Sequence, residues 1–246
     1  MTKIIAFAGA KHAGKTTLST WYVGQHLKRL GICEGYSLHS TSELLVSDIF
    51  GEDGSAGVVN VQRPTIEQMD FLYQYVYDEI RPLSFASPLK HVCMNMFGLS
   101  YDQCFGDGKN TETDLLWENM PFVGVERPAF YKDSGRMLAR ETMQVFGTDI
   151  CRAMCENAHI NPIVHAIDSN GPKHVVVDDV RFNNEFDVLK ERGAHMIYID
   201  GRGDIGDSHA SESGIDREFD LRLDNSGDID QTCGALLKYL QSNNIL

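Results

Sequence analysis

The sequence predicts an α/β fold in which a mostly parallel central sheet of about five strands is covered by helices on both faces. Compact apolar segments rich in β-forming residues begin at Ile4, His174 and His195. Segments with helical periodicity alternate with them. A chain of 246 residues with 42% hydrophobic content is long enough for one such domain with a sizeable insertion. One domain, residues 1–246, is therefore expected.

The first strand and helix are predicted from the N-terminal sequence. Residues 4–8 form an apolar β-forming segment that is followed at once by glycines, as expected of a buried strand. Residues 16–30 carry a mixed apolar face at helical spacing. An insertion is expected at about residues 36–80, with a glycine-rich tip at 51–57 and a helix over 64–80.

The middle of the chain is predicted to be a short strand, a helix, a lid and a second helix. Residues 82–86 indicate the strand, and the helix after it carries Pro88 near its first turn and ends at Gly98. Residues 104–133 are polar, contain glycine and lack clear periodicity, which favours a lid-like segment. Helical character returns over residues 135–159.

The last part of the chain repeats the alternation of strand and helix. The β-branched segment at 174–177 predicts a strand, and residues 184–192 predict the helix that follows. Two more strands are expected at 195–199 and 221–223. The alternation favours a parallel sheet.

Composition limits the partners of the protein. The chain has 22 Lys and Arg residues against 35 Asp and Glu residues, a formal net charge of −13. Its field repels nucleic-acid polymers and anionic membranes, so small molecules are the expected partners. The six cysteines lack the density of a disulfide framework, and the N-terminal apolar segment is too short for a signal peptide. A cytoplasmic location follows, and a homodimer is left open.

Residues 9–16 (GAKHAGKT) match the phosphate-binding pattern GxxxxGK[ST] between a predicted strand and a predicted helix. Glycines let backbone N–H groups turn toward phosphate oxygens, and the helix N-terminus adds positive potential. Lys15 is expected to reach the terminal phosphates, and the Thr16 hydroxyl to ligate Mg²⁺. The predicted nucleotide-binding residues here are Gly9, His12, Ala13, Gly14, Lys15, Thr16 and Thr17.

A second candidate cluster follows the apolar strand at 175–177, at the carboxyl end where α/β sheets place ligands. Asp179 is the preferred ligand for Mg²⁺ and Asp178 the second choice, which is otherwise assigned to the substrate side. Arg181 would neutralise charge on a transferring phosphoryl group. The alternative is an ordinary strand-end turn with a surface salt bridge.

A third cluster is expected on one helical face. Arg136, Arg140 and Gln144 have the spacing i, i+4, i+8, so their side chains would point into a common cleft. Guanidinium groups bind phosphate bidentately, and a glutamine can pair with a base edge. The alternative is a solvated charged face.

The ordered set of motifs resembles the bacteriophage deoxynucleoside monophosphate kinases, a branch of the P-loop nucleoside monophosphate kinase superfamily. Beyond the P-loop, the resemblance is carried by residues 85–90 and 97–99, then by Gln144 within 136–152. It continues through residues 179–181 with Glu185, and ends at 224–227. These segments span most of the chain in order.

The resemblance implies a three-layer P-loop kinase fold with helical insertion and lid segments. It also implies transfer of the ATP γ-phosphoryl group to a deoxynucleoside monophosphate, with Mg²⁺. By position, Asn225 would lie near the ATP adenine, and Lys15, Asp179 and Arg181 would be catalytic. The implied acceptor-binding residues are Phe85, Lys90, Arg136, Gln144, Asp149 and Arg152. The long segment between Leu30 and Pro82 departs from the family pattern.

Two rival functions remain at this stage. A P-loop kinase for another acceptor, such as dephospho-coenzyme A or a sugar acid, would share the ATP half of the site. A non-catalytic nucleotide sensor is disfavoured because the chain lacks an Asn-Lys-x-Asp segment and lacks Asp-x-x-Gly after the second strand. A lid at 104–133, containing Lys109, Arg127 and Lys132, would close over the phosphates.

Overall fold

A computed structural model describes residues 2–62, 64–120, 131–168, 171–201 and 214–246. The chain divides into two compact units. The first combines Met1–Phe85 with Ile163–Leu246, and the second is Ala86–Pro162. The single domain expected from the sequence stays a prediction.

Ten strands and eight α-helices are present in the described residues. The strands are β1 (Lys3–Gly9), β2 (Gly35–Ser40), β3 (Glu43–Ser47), β4 (Ala56–Asn60), β5 (Ile80–Leu83), β6 (Glu112–Leu116), β7 (Arg136–Leu138), β8 (His174–Val180), β9 (His195–Asp200) and β10 (Leu221–Asp224). The α-helices are α1 (Lys15–Arg29), α2 (Ile66–Tyr75), α3 (Ala86–Phe97), α4 (Tyr101–Phe105), α5 (Ala139–Gln144), α6 (Ile160–Asp168), α7 (Asn183–Glu191) and α8 (Ile229–Ser242). A π-helix over Val145–Arg152 continues α5.

The first unit is built on a five-stranded sheet with the order β10-β9-β1-β8-β5, in which every neighbouring pair is parallel. Helices α1, α7 and α8 pack against it. Strand β1 lies in the middle, and its residues 4–8 are buried, which explains their unbroken apolar sequence. The predicted fold is confirmed. The predicted strand at 82–86 lies two residues earlier, as β5, and Pro82 is tolerated because β5 is an edge strand.

The insertion at 36–80 contains a three-stranded antiparallel sheet, β2-β3-β4, in addition to α2. The sequence predicted the helix but not these strands. In β3, Leu44 and Val46 are buried while Leu45 between them is exposed, the alternation of a strand with one covered face. The glycine-rich tip joins β3 to β4. The buried side chains of the insertion share one core cluster with Phe7 and Val176 of the central sheet.

In the second unit, the structure differs from the single helix predicted over residues 135–159. Residues 136–138 form β7, which pairs antiparallel with β6. The hydroxyl of Thr113 on β6 donates to the backbone carbonyl of Met137 at 2.9 Å, which holds this segment extended. The helix begins only at Ala139 and changes to the π form at Val145. Arg136 therefore lies outside the helix.

The described part of the predicted lid, residues 104–120 and 131–133, includes the end of α4 and strand β6. Arg127 lies outside the described residues. Lys132 forms an ion pair with Glu141 at 2.8 Å. Closure over phosphates stays a prediction. Among the described residues, no helix combines the length and apolar character needed to cross a membrane.

Candidate functional site

The phosphate-binding pattern lies between β1 and α1, as the sequence predicted, and two of its glycines are required by close contacts. Gly9 has a φ of 142°, and a Cβ on it would lie 2.5 Å from the backbone oxygen of Ile199. Gly14 has a φ of 103°, and its Cβ would lie 2.4 Å from Nδ2 of Asn225. Both distances are too short for any side chain, so the loop conformation depends on these two residues.

Lys15 is the first residue of α1, and its ammonium group turns back onto the loop. Nζ donates to the backbone oxygens of Gly9 at 2.8 Å and Ala10 at 2.6 Å. The first turn of α1 holds no acidic residue, so the positive end of the helix dipole is not offset there. Lysine, loop and helix terminus together form a local positive site for an anion in a chain of net negative charge.

Asp178, in β8, is the buried acid that contacts this loop. Its carboxyl group accepts a hydrogen bond from Nε2 of Gln62 at 3.2 Å, and the side chain of Thr16 lies close enough to affect its pKa. Burial is the main factor that raises the pKa of Asp178, and the neighbouring charge of Asp179 raises it further. The nearby side chain of Thr16 and the charge of Lys15 lower this pKa.

Asp179 has different partners from Asp178, because successive side chains of a strand point to opposite faces. Its carboxylate accepts hydrogen bonds from Oγ of Ser84 at 2.7 Å and from the backbone N–H of Phe85 at 2.9 Å. These contacts hold the segment between β5 and α3.

Arg181 follows the end of β8 and is exposed. Its backbone N–H donates to Oε2 of Glu185 at 2.9 Å, and the N–H of Phe182 donates to the same oxygen at 3.3 Å. Glu185 is buried, so an acid on the first turn of α7 fixes the backbone that carries Arg181.

Asn225 is buried against the phosphate-binding loop. Its Nδ2 donates to the backbone oxygen of Ala13 at 2.8 Å, and its Oδ1 accepts from the hydroxyl of Thr232 at 3.2 Å. The sequence analysis placed Asn225 near the adenine. In the structure its carboxamide braces the loop, and its proximity to the adenine stays a prediction.

The remaining predicted nucleotide-binding residues differ in exposure. Ala13 is buried in the loop, and His12 is exposed with a φ of 64°. Thr17 lies half-buried in the first turn of α1.

The predicted helical face in the second unit does not form. Arg136 lies in β7, where its guanidinium donates to the backbone oxygen of Thr113 at 3.2 Å and to Asp114 at 2.6 Å. Gln144 ends α5, and Arg140 on the same helix is exposed. The expectation that Arg136, Arg140 and Gln144 share one face is wrong, because residue 136 is in a strand.

The other predicted acceptor residues are dispersed. Lys90 on α3 lies over the ring of Phe105, with Nζ 4.6 Å from its centroid. Asp149, in the π-helix, accepts a hydrogen bond from the Tyr131 hydroxyl. Arg152 ends the π-helix, and Phe85 is buried in the first unit.

Sequence reasoning missed Gln62, which contacts Asp178, and Ser84, which contacts Asp179. Ser84 lies within the predicted strand at 82–86 and could have been considered on that ground. Gln62 lies in an insertion without a recognised motif, so no local signal pointed to it.

The site combines the glycine loop at residues 9–16 with Lys15, Thr16 and the buried Asp178, all at the carboxyl end of a parallel sheet. This arrangement is that of a P-loop nucleotide-binding protein. Residues 95–235, more than half of the 246-residue chain, match the family model for deoxynucleotide monophosphate kinase. A protein of Acanthamoeba polyphaga mimivirus, described provisionally as a deoxynucleotide monophosphate kinase, is 31% identical over 164 residues. That match covers 60% of this chain and 76% of the viral protein. The chain belongs to the deoxynucleotide monophosphate kinase family and is a phosphotransferase. The matched range excludes the phosphate-binding loop at residues 9–16.

Proposed function

We propose that the protein transfers the γ-phosphoryl group of ATP to a deoxynucleoside 5′-monophosphate, giving the deoxynucleoside diphosphate and ADP. One observation carries the proposal: Lys15, the first residue of α1, donates to the carbonyls of Gly9 and Ala10, so its positive charge lies within the phosphate-binding loop. Family membership supports the choice of a nucleotide acceptor.

Thr16 and Asp178 fit the requirements of Mg²⁺. A hydroxyl and a carboxylate are hard oxygen ligands, and Thr16 lies close enough to Asp178 to lower its pKa. We therefore propose Asp178 as the acid on the metal side and reverse the order expected from the sequence, since Asp179 is bonded to Ser84 and Phe85. When bound, Mg²⁺ would neutralise charge on the phosphate oxygens.

The chain's own residues position and neutralise the reactants. Lys15 would exchange the carbonyls of Gly9 and Ala10 for terminal phosphate oxygens. An oxygen of the acceptor phosphate forms the new bond to the γ-phosphorus, and the bond from that phosphorus to the leaving ADP oxygen breaks. Arg181, held through its backbone by Glu185, would offset the charge on the transferring group. No covalent enzyme intermediate is needed.

The acceptor side stays a proposal based on resemblance. It comprises Phe85, Lys90, Arg136, Gln144, Asp149 and Arg152, of which the last four lie inside the family match. Arg136 is the weakest member, because its guanidinium is already bonded to Asp114. We propose that the partners are small-molecule nucleotides, that nucleic-acid polymers are excluded by the net charge of −13, and that the protein acts in the cytoplasm.

The test is an ADP-release assay with Mg-ATP. The acceptors are dAMP, dGMP, dCMP and dTMP, their ribonucleotide counterparts, dephospho-coenzyme A, a sugar acid and a control without acceptor. Turnover with deoxynucleotides, with the diphosphate identified as product, is expected. Turnover with dephospho-coenzyme A or the sugar acid alone would favour the first rival function. Nucleotide binding without any turnover would favour the sensor.

A further inference from the structure

Gln62 brings the insertion into contact with the phosphate site. It follows β4, the last strand of the three-stranded sheet, and lies outside the segment that matches the family model. Its Nε2 donates to Oδ2 of Asp178 at 3.2 Å. The insertion therefore contributes directly to the environment of the acid that contacts Thr16.

The position of Gln62 is fixed by the residue that precedes it. Val61, immediately before it, is buried, and its backbone N–H donates to the carbonyl of Ser42 at 2.8 Å. Val59 and Val61 belong to the same core cluster as Val176, which lies two residues before Asp178 on β8. The amide and the carboxyl group are thus carried by elements that are packed into one core.

The chemistry of the contact suits an acid that must stay negatively charged. A carboxylate can accept several hydrogen bonds, and each one restricts its rotation. An amide donates without adding a positive charge, so it orients the carboxylate without reducing the net charge that attracts a cation. A lysine or arginine in its place would form an ion pair and compete with the cation.

We infer that Gln62 is a positioning residue that holds Asp178 in the orientation required beside Thr16. The inference rests on the proposed function, because the orientation matters only if Asp178 serves the metal bound with the nucleotide. Residues that orient metal-side groups commonly change metal affinity by about 10- to 100-fold when they are removed. Gln62 donates a single hydrogen bond to Asp178, so the lower end of that range is expected.

The test compares wild-type protein with Gln62→Met, which keeps the length of the side chain but removes the donor, and with Gln62→Ala. Asn60→Ala is the matched control: Asn60 is an amide on the same segment, and its Nδ2 donates to Glu43 at 3.1 Å. Calorimetry with a non-hydrolysable ATP analogue would give the Mg²⁺ concentration for half-maximal binding. The EPR spectrum of Mn²⁺ bound with the analogue would report on the metal environment.

Both Gln62 variants should raise the half-maximal Mg²⁺ concentration by about tenfold and change the Mn²⁺ spectrum. The KM of the acceptor should stay close to the wild-type value. Variants that keep the wild-type Mg²⁺ dependence and Mn²⁺ spectrum would overturn the inference. So would an equal effect in Asn60→Ala, since this would indicate general damage to the insertion. If wild-type protein itself neither binds the analogue with Mg²⁺ nor turns over, the proposed function fails instead.

Discussion

The phosphate-binding loop and the predicted acceptor residues show how differently two regions of one chain follow from their sequences. The loop lies where the sequence placed it, between β1 and α1, with Lys15 at the helix start. The acceptor candidates lie on different kinds of element: Arg136 on a strand, Gln144 on an α-helix and Asp149 on a π-helix.

The difference comes from what fixes each group. The conformation of the loop is set by short-range geometry, because Gly9 and Gly14 have backbone conformations that other residues rarely adopt. The strand and the helix on either side have clear patterns of apolar residues. Over residues 136–152, the backbone changes from extended to α to π within 17 residues. A helical spacing rule cannot anticipate such changes, because they depend on pairing with β6 and on packing in the second unit.

The largest expected effect is in the loop. Lys15→Ala should reduce kcat/KM by about 10²- to 10³-fold or more, because the main positive charge directed at the phosphates is removed. Steady-state kinetics and circular dichroism would measure activity and folding. Lys11→Ala, in the same loop, is the control and should retain most activity. Near-normal turnover by folded Lys15→Ala would show that the loop is not the phosphate site.

The next effect concerns the brace of the loop. Asn225→Asp replaces the N–H group that faces the Ala13 carbonyl with an oxygen, which should raise the KM for ATP about tenfold and lower the free energy of unfolding by about 1–3 kcal/mol. Urea unfolding and kinetics would measure the two quantities. Asn243→Asp, at an exposed amide on the same unit, is the control. If Asn225→Asp alters adenine discrimination but not stability, the residue contacts ATP directly.

Acid should selectively weaken the core of the first unit. Neither ring nitrogen of buried His26 has a hydrogen-bond partner among the described residues, and the ring lies 4.2 Å from that of His174. Burial lowers the pKa of His26 to about 3 and that of His174 to about 4. In the unfolded chain both histidines bind protons near pH 6.5. Their contribution to the free energy of unfolding is therefore fully present above that pH and is lost as the pH falls toward 4.

Thermal unfolding at pH 7.5 and pH 5 would test this dependence. His26→Leu should lose less stability than wild-type protein between the two pH values, since one buried proton acceptor is removed. His39→Gln, at an exposed histidine, should behave like wild type. An unchanged pH dependence in His26→Leu would assign the acid sensitivity to other groups.

The smallest expected effect is on the KM of the acceptor, and it distinguishes Arg136 from Gln144. Arg136→Ala should change the acceptor KM by less than about threefold, because its exposed ion pair with Asp114 contributes little. Gln144→Ala should raise that KM by about tenfold if the amide reads a base edge. Kinetics with each deoxynucleotide at saturating ATP would compare them. A larger effect from Arg136→Ala would indicate that Arg136 contacts the acceptor from its position in β7.

Much of the first unit was predictable because buried parallel strands have unbroken apolar sequences, as at residues 4–8 and 174–177. The strand β3 was missed because only Leu44 and Val46 face the core, too short an alternation to recognise. At the site, the sequence placed both acids at the end of β8 and preferred Asp179 to Asp178 as the metal ligand, the order that we propose to reverse. Their order depends on Thr16 and Ser84, which are distant in sequence.

The two carbonyl contacts of Lys15 have a consequence for how tightly a nucleotide is held. Since the ammonium group already has partners at 2.8 and 2.6 Å, an arriving triphosphate gains only the difference between those contacts and its own. The carbonyl oxygens of Gly9 and Ala10 compete with the phosphate oxygens for the ammonium group of Lys15. Their local concentration is fixed because they belong to the same loop. Such competition lowers affinity without slowing departure of the product, which suits the proposed reaction, in which ADP would be released after every cycle.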